Sequence, residues 1–288
     1  MSAAVGVDIG GSGIRAAIVG AEGELSQVQK VPLSHRSIDE VLDVVADLVQ
    51  DDLPVGVGMP GFVQDGVVRA SPNFPAWVDV PLESLLRQRL SRSVRVDNDA
   101  NLAALGAWMD GRQDLVLLTL GTGVGGGVVT GGRVLRGQRG SAAELGHLYV
   151  GGDLRCGCGA RGCLETWCSI TGLRARAERD GHTFADGRAL FEAVDSGEAW
   201  ARDLINVAAE KLGFAMASYA NVFGPDEIVV AGGLSEALGW RDRSTAAFEQ
   251  QVIGANHCPI RWVGSATRLA IRGAAALVAD EVCASPRR

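Results

Sequence analysis

Lysine is almost missing from this chain. Only Lys30 and Lys211 stand among 288 residues, so covalent catalysis through a lysine amine has few candidates. No Gly-Lys-Ser or Gly-Lys-Thr of a Walker loop occurs. Proline is scarce at 9 while glycine reaches 39, a contrast that puts backbone turns at particular places and excludes a low-complexity chain. Positive charge is outweighed, with 27 basic against 34 acidic residues and a net charge of −7, which argues against a surface that coats nucleic acid. A lipid-spanning run is lacking too. The longest uncharged stretch, Leu115–Gly132, carries seven glycines and suits strand–turn–strand far better than a membrane helix. The opening Met-Ser-Ala-Ala-Val-Gly-Val-Asp has neither a basic nor a long apolar region of a secretory signal. We therefore expect a cytoplasmic protein, with no membrane or nucleic-acid partner and with cysteines present as thiols or metal ligands.

What is there is an ordinary globular composition, 47% apolar and 21% charged, which excludes disorder, collagen and coiled coil. The length suits two domains of usual size. Ala4–Ile9, Ile14–Val19 and Gln27–Leu33 read as strands. Ser37–Gln50 has a helical period, with Ser37 and Glu40 spaced as a capping box. Val55–Met59 and Val94–Val96 are further strands, and Leu82–Leu90 and Asp99–Met109 helices. From Leu115 the scheme restarts. Leu115–Leu120 is a strand, Gly121–Gly127 a glycine turn and Val128–Thr130 a strand, with another begun at Val134-Leu135. Val5–Val19 and Leu117–Val129 share one grammar: apolar strand, polar residue, glycine-rich hairpin, apolar strand. A repeat of roughly 110 residues marks two related domains and not a solenoid, whose repeats are shorter. Ile228–Val230 before Ala231-Gly232-Gly233 fits a late strand, and 203–222 and 268–283 read as helices. The boundary is expected within 111–114.

Two glycine hairpins facing each other across a cleft suit phosphate, because turn amides form an anion-binding nest that only glycine lets a polyanion reach. Taken alone, each also reads as a plain β-turn; the pair at repeat-related positions is the stronger signal. Asp8, ending the first strand, either orients Mg²⁺ on phosphates or caps the turn. Asn98-Asp99 stands at a strand-to-helix junction, where Asp99 is either the helix N-cap or a general base with Asn98 beside the substrate. The sharpest local signal is His147-x8-Cys156-Gly-Cys158-Gly-x2-Gly-Cys163. Three thiolates and an imidazole form a tetrahedral set with no open position, which staples a loop and does not activate water. Cys168, Cys258 and Cys283 lack such company and read as small buried apolar residues. Glu144 and Glu165 bracket the cluster and either contact a polyhydroxylated ligand or lie in solvent.

Together these segments resemble the ROK family of bacterial sugar kinases and repressors, within the actin-like (ASKHA) ATPase superfamily. Asp8-Ile-Gly-Gly-Ser12-Gly-Ile14 is similar to the phosphate-1 segment, and Val96-Asp-Asn98-Asp99-Ala-Asn-Leu-Ala-Ala-Leu-Gly106 to the catalytic-Asp segment. Leu120-Gly-Thr122-Gly-Val-Gly-Gly-Gly127 is similar to phosphate-2, and Ala231-Gly-Gly233 to the adenosine segment. Glu144-Leu-Gly-His147 with Cys156-Gly-Cys158-Gly-Ala-Arg-Gly-Cys163-Leu-Glu165 resembles the family's zinc signature.

The resemblance implies an α/β, two-lobed actin-like (ribonuclease H-like) ATPase fold with a structural zinc loop. Its lobes would be 1–112 plus 270–288, and 113–269. It implies transfer of the γ-phosphoryl of ATP to a hexose, glucose at C6 by preference, as an entry step to glycolysis, in a cytoplasmic homodimer. Asp99 becomes the base. Gly61, Asn98, Glu144, His147 and Glu165 become sugar contacts, together with Asn73 from the loop Ser71–Trp77. Asp8, Gly10, Gly11, Ser12, Gly121, Thr122 and Gly123 surround phosphates and Mg²⁺, and Gly232 and Gly233 the nucleoside. Zinc takes His147, Cys156, Cys158 and Cys163. The domains are expected to close round the sugar and exclude water.

Three positions depart from the family's pattern. The usual Thr-Lys after Asp-x-Gly-Gly is Ser12-Gly13, and the Gly-Glu after the catalytic segment is Gly106-Ala107. The Gly-Gly-Ser-Gly-Ile loop also resembles that of polyphosphate glucokinases, so ATP and polyphosphate both stand as donors. N-acetylmannosamine or N-acetylglucosamine is the alternative acceptor. A non-catalytic sugar sensor is the alternative class, against which Asn98-Asp99 speaks. With the phosphate-1 motif beginning at Asp8, the winged helix-turn-helix of the family's repressors is not expected here.

Overall fold

In the computed structural model the chain runs β1 (Ala4–Gly10), β2 (Gly13–Val19), β3 (Leu25–Pro32), α1 (Ile38–Leu48), β4 (Val55–Met59), β5 (Phe62–Gln64), β6 (Val67–Ala70), β7 (Val78–Val80), α2 (Leu82–Leu90), β8 (Val94–Asn98) and α3 (Asp99–Trp108). It continues through β9 (Leu115–Leu120), β10 (Val124–Thr130), β11 (Arg133–Val134), α4 (Glu165–Cys168), α5 (Ile170–Arg179), α6 (Gly187–Asp195), α7 (Ala199–Phe223), β12 (Glu227–Ala231), α8 (Leu238–Gln251), β13 (Ile260–Val263) and α9 (Ala266–Val278). Residues 2–111, 113–236 and 238–279 are described. The expected helix 268–283 corresponds to α9, and Cys283 lies outside the described residues. No helix among the described residues is long and apolar enough to cross a membrane.

The repeat read from the sequence reappears as topology. One sheet has the order β3-β2-β1-β4-β8 and another β11-β10-β9-β12-β13. In the first, β1–β3 form an antiparallel meander and β4 and β8 add in parallel; in the second, β12 lies parallel to β9 and β13. Parallel additions need helical crossovers, which α1, α2, α7 and α8 supply. The contacts separate into unit 1, residues 2–111, 127–143 and 267–279, and unit 2, residues 113–126, 144–236 and 238–266. By these contacts segment 127–143 groups with the earlier residues. Gly127 packs where a Cβ would meet Ala100 O at 2.7 Å, and Gly140 where it would meet Val63 O at 2.1 Å.

Strand alternation gives the first sheet two faces. Val5, Val7 and Ile9 join Val41 and Val45 of α1 and Leu82 and Leu86 of α2 in one buried cluster. Each such side chain contributes roughly 1.5–3 kcal/mol on burial. Ala4 lies on the other face with Ile271 and Ala275 of α9. There Gly6 and Gly56, register partners in adjacent strands, leave a furrow for a helix backbone. A Cβ on Gly6 would sit 2.0 Å from Ile271 O, and one on Gly56 1.7 Å from Ala274 O. Gly106 of α3 and Gly273 of α9 make the same close approach, at 2.0 Å to Leu269 O and 1.8 Å to Leu102 O. Four glycines thus fix α9 and α3 on the face that carries Asp8.

Some local expectations shift. Ser37 caps α1 by accepting the Glu40 amide at 3.2 Å. Glu40 does not complete the box; its carboxylate reaches past Ser37 to the amides of Ser34, His35 and Arg36 at 2.6–2.9 Å, because the preceding turn presents three donors. Gly125–Gly127 belong to β10, so the glycine turn is only Gly121–Gly123.

Candidate active site and metal centre

In unit 1 the acidic residues gather at one end of the sheet. Asp8 of β1 is in register with Gly58 of β4, and Gly58 with Asp97 of β8. The bare Gly58 lets the chain at Asp99 pass overhead, with the Asp99 Cα 3.5 Å from where a Cβ would be. Asp8 is buried, 8% exposed. Burial first, and then the Asp99 charge, push its pKa up to about 7, against Arg15 and the Thr267 hydroxyl, which lower it. Arg15 stands opposite Asp8 in β2, 3.8 Å away; it is the cation beside the first hairpin where the sequence has no lysine.

Asn98, not Asp99, is the N-cap of α3: its Oδ1 accepts the Asn101 amide at 2.9 Å. This corrects the N-cap alternative for Asp99 by one residue. β8 extends through Asn98, so the cap falls on the strand's last residue. Asn98 Nδ2 also donates to Gly61 O at 2.9 Å, so the backbone oxygen of Gly61 is already engaged. Asp99 becomes the first helical residue, and its Oδ1 accepts the Ala100 amide at 2.9 Å. Burial raises its pKa, opposed only by backbone hydrogen bonds. Asp99 is therefore a carboxylate held by its own turn and paired with no cation among the described residues.

The first hairpin exposes Ser12 at its tip, with Gly10 and Gly11 half-buried beside it. Asn73 lies alongside; a Cβ on Gly11 would meet its Nδ2 at 2.7 Å. The rest of the loop Ser71–Trp77 turns inward. Phe74 and Trp77 are buried with rings 4.9 Å apart, and Trp77 Nε1 donates to Arg36 O at 3.1 Å. Of this expected sugar-lining loop, the aromatics are core and Asn73 is the member next to the glycines.

Unit 2 holds the remaining candidates. The second hairpin is braced by the start of α5: Ile170 N donates to Gly121 O at 2.9 Å, and Thr171 Oγ1 to Thr122 O at 2.8 Å. Glu165 Oε2 accepts the Val124 amide at 3.0 Å and lies 2.6 Å from where a Cβ on Gly123 would be; its Oε1 accepts the Cys156 thiol at 3.3 Å. Glu165 therefore ties the cysteine loop to the second hairpin and is no solvated surface carboxylate. Gly232, at the end of β12 with φ +112°, packs where a Cβ would meet Leu120 O at 2.2 Å, while nothing lies within 4 Å of a Cβ on Gly233.

His147, Cys156, Cys158 and Cys163 place one ligand atom each within 4.8 Å of one another. Cys156 Sγ is 3.6 Å from His147 Nδ1, and Cys158 Sγ 3.7 Å from Cys163 Sγ. A tetrahedron with metal–sulfur bonds of about 2.3 Å has edges of roughly 3.8 Å, so the donor set fits one ion. A short hairpin shapes it, with Cys156 N donating to Ala160 O and Gly159 N to Cys156 O at 2.8 and 3.0 Å. The Ala160 amide pulls the Cys158 thiol down, while burial pushes Cys156 and Cys163 up. His147 Nε2 faces away from the sulfurs, 3.9 Å from Glu144 Oε2. The ring thus offers one nitrogen to the cluster and the other to its surroundings.

Two residues escaped the sequence reading. Asp97 is buried beneath Asn98, and Arg136 binds it with both Nε and a terminal nitrogen at 2.7 Å. Val94 and Val96 alternating into the core place Asp97 on the Asp8 face, which was a usable signal. Arg136, 39 residues away, gave none.

Comparison with known proteins now bears on this arrangement. A glucokinase of Halalkalibacterium halodurans is 36% identical over 267 residues, covering 81% of each chain. An N-acetyl-D-glucosamine kinase of Escherichia coli is 34% identical over 254 residues, covering 80% of this chain and 84% of the relative. The structure of a ROK family glucokinase from Streptomyces griseus, in complex with glucose and AMPPNP, superimposes with a TM-score of 0.81 at 31% identity, covering 96% of this chain and 99% of that one. The family model described as "ROK family" matches residues 4–281. With the duplicated α/β sheet, the carboxylates at its end and the Cys₃His loop, this chain belongs to the ROK family, and its mixed α/β fold is that of the family's actin-like sugar kinases.

Proposed function

We propose that this protein is an ATP- and Mg²⁺-dependent hexose kinase that phosphorylates glucose at its C6 hydroxyl, with Asp99 as general base. The observation that carries the reading is Asp99 itself: a half-buried carboxylate at the first turn of α3, its pKa raised, unpaired with any cation among the described residues. A base tuned upward toward working pH is what removal of a hydroxyl proton needs. The glucokinase relative and the glucose- and AMPPNP-bound homologue support the substrates.

Gly61, Asn73, Asn98, Glu144, His147 and Glu165 serve as sugar contacts. Asp8, Gly10, Gly11, Ser12, Gly121, Thr122 and Gly123 serve the phosphates, and Gly232 and Gly233 the nucleoside. Asp8 would hold Mg²⁺, which supplies neutralisation of phosphate charge. Asp99 accepts the proton as the sugar oxygen meets the γ-phosphoryl, and the fixed residues around it supply positioning. His147, Cys156, Cys158 and Cys163 would hold structural zinc, which stiffens the loop that carries His147 and Glu165. We divide the chain functionally into 1–112 plus 270–288 and 113–269, and place it in the cytoplasm as a homodimer.

An assay over a panel of hexoses and N-acetylhexosamines, each with ATP and with polyphosphate, tests the reading. Glucose with ATP is expected to give the highest kcat/KM. A higher value on N-acetylglucosamine, the substrate named for the Escherichia coli relative, would move the acceptor but keep the reaction. Sugar binding without turnover on either donor would contradict it and leave a sensor.

A further inference from the structure

The corner that presents Asn98 and Asp99 is fastened by an ion pair between a buried carboxylate, Asp97, and a half-exposed guanidinium, Arg136. Asp97 is 4% exposed. Its Oδ1 accepts the Asn98 amide at 2.7 Å and Asn101 Nδ2 at 3.3 Å. Its Oδ2 receives Arg136 Nε and a second guanidinium nitrogen, both at 2.7 Å. Arg136 arrives on a loop with its own anchors: Leu135 N donates to Val128 O at 2.8 Å, and Ala142 N to Arg136 O at 3.1 Å. Gln64 Nε2 donates to Gln138 O at 3.4 Å, and Gly140 lies against Val63. A buried carboxylate is stabilised by a cation, and two guanidinium nitrogens converging on Oδ2 hold that oxygen while Oδ1 stays with Asn98 and Asn101.

We propose that Arg136 is a positioning residue for the phosphoryl-transfer corner. It holds Asp97 through Oδ2, Asp97 holds the Asn98 amide and the first turn of α3 through Oδ1, and the base and its neighbouring sugar contact take their places from that chain. Neither residue need touch a substrate. The inference rests on the hexose-kinase reading, in which Asn98 faces the sugar and Asp99 takes its proton. Because displacement of a catalytic group by about 1 Å can cost on the order of 100-fold in rate, the pair's effect falls on kcat and on sugar affinity and spares the nucleotide.

The test is Arg136→Ala in the full chain, with steady-state kinetics in both substrates and equilibrium binding of glucose by calorimetry. We expect kcat to fall by roughly 10- to 100-fold, glucose affinity to weaken several-fold, and the KM for ATP to stay within about twofold. Millimolar guanidinium is expected to restore at least part of kcat to Arg136→Ala but not to Asp97→Asn. The double variant should be no worse than the worse single, because the two residues act as a unit. Should Arg136→Ala fail to fold, Arg136→Lys carries the same test: the charge is kept, the fork is lost, and kcat falls with ATP KM unchanged. Unaltered kcat and glucose affinity in either folded variant, or an equal loss in ATP affinity, would overturn the proposal. A wild-type chain that binds glucose but turns over no sugar would sink the kinase reading instead; weakened glucose binding in Arg136→Ala would still uphold the pairing.

Discussion

Asp8 is held against its own charge, which makes its removal informative. Its pKa stands at about 7 instead of 3.8, chiefly from burial and then from Asp99. The folded state therefore binds this proton more tightly than the unfolded chain does. Its contribution to stability is complete below pH 3.8, shrinks as pH rises, and is lost above about 7. At about 1.4 kcal/mol per pKa unit, ionised Asp8 costs the ligand-free protein roughly 4 kcal/mol. Asp8→Asn removes the ionisation and keeps the shape. In denaturant unfolding without ligands, the stability of Asp8→Asn relative to wild type should rise by roughly 3 kcal/mol between about pH 5 and about pH 8. Comparing the two pH values cancels pH-independent losses such as an altered contact with Thr267. The same variant should lose kinase activity, because its cation site is gone, so stability and function move in opposite directions. A relative stability that does not change with pH would refute the reasoning.

Gly56→Ala would force a methyl to 1.7 Å from Ala274 O, a backbone atom that no rotamer change relieves; it should destabilise by about 3 kcal/mol or prevent folding. Gly157→Ala, with open space around it, should lie within roughly 0.5 kcal/mol of wild type. Metal analysis should find about one zinc per chain, as the four-ligand set requires, and Cys158→Ser or a chelator should lower the melting temperature and weaken glucose binding together. A stable, glucose-binding, metal-free protein would refute the staple.

Sequence and structure agree where local chemistry is dense. The two hairpins were legible because polar residues and glycines interrupt apolar strands in the same order twice, and both sheets repeat that order in space. The Cys₃His cluster was legible because three thiols and an imidazole so near one another along the chain spell a tetrahedral ligand set, and its donor atoms do converge. Asp99 was visible as a candidate, but its freedom from capping was not: which of Asn98 and Asp99 caps depends on where β8 stops. The loop Ser71–Trp77 was expected at the sugar, yet the core takes the apolar area of its Phe74 and Trp77. The sheet of β5, β6 and β7 has strands of three or four residues, too short for a period of two to stand out. Arg136 and Asp97 meet across 39 residues, a pairing that only the fold brings about.

The central claim is that Asp99 takes the sugar's proton, and one comparison tests it most directly. Asp99→Asn keeps the size and the Ala100 contact but cannot accept a proton, so glucose affinity by calorimetry should stay near wild type while kcat with ATP falls by roughly 100- to 10,000-fold. Near-normal kcat in that variant, with glucose bound as before, would contradict the account.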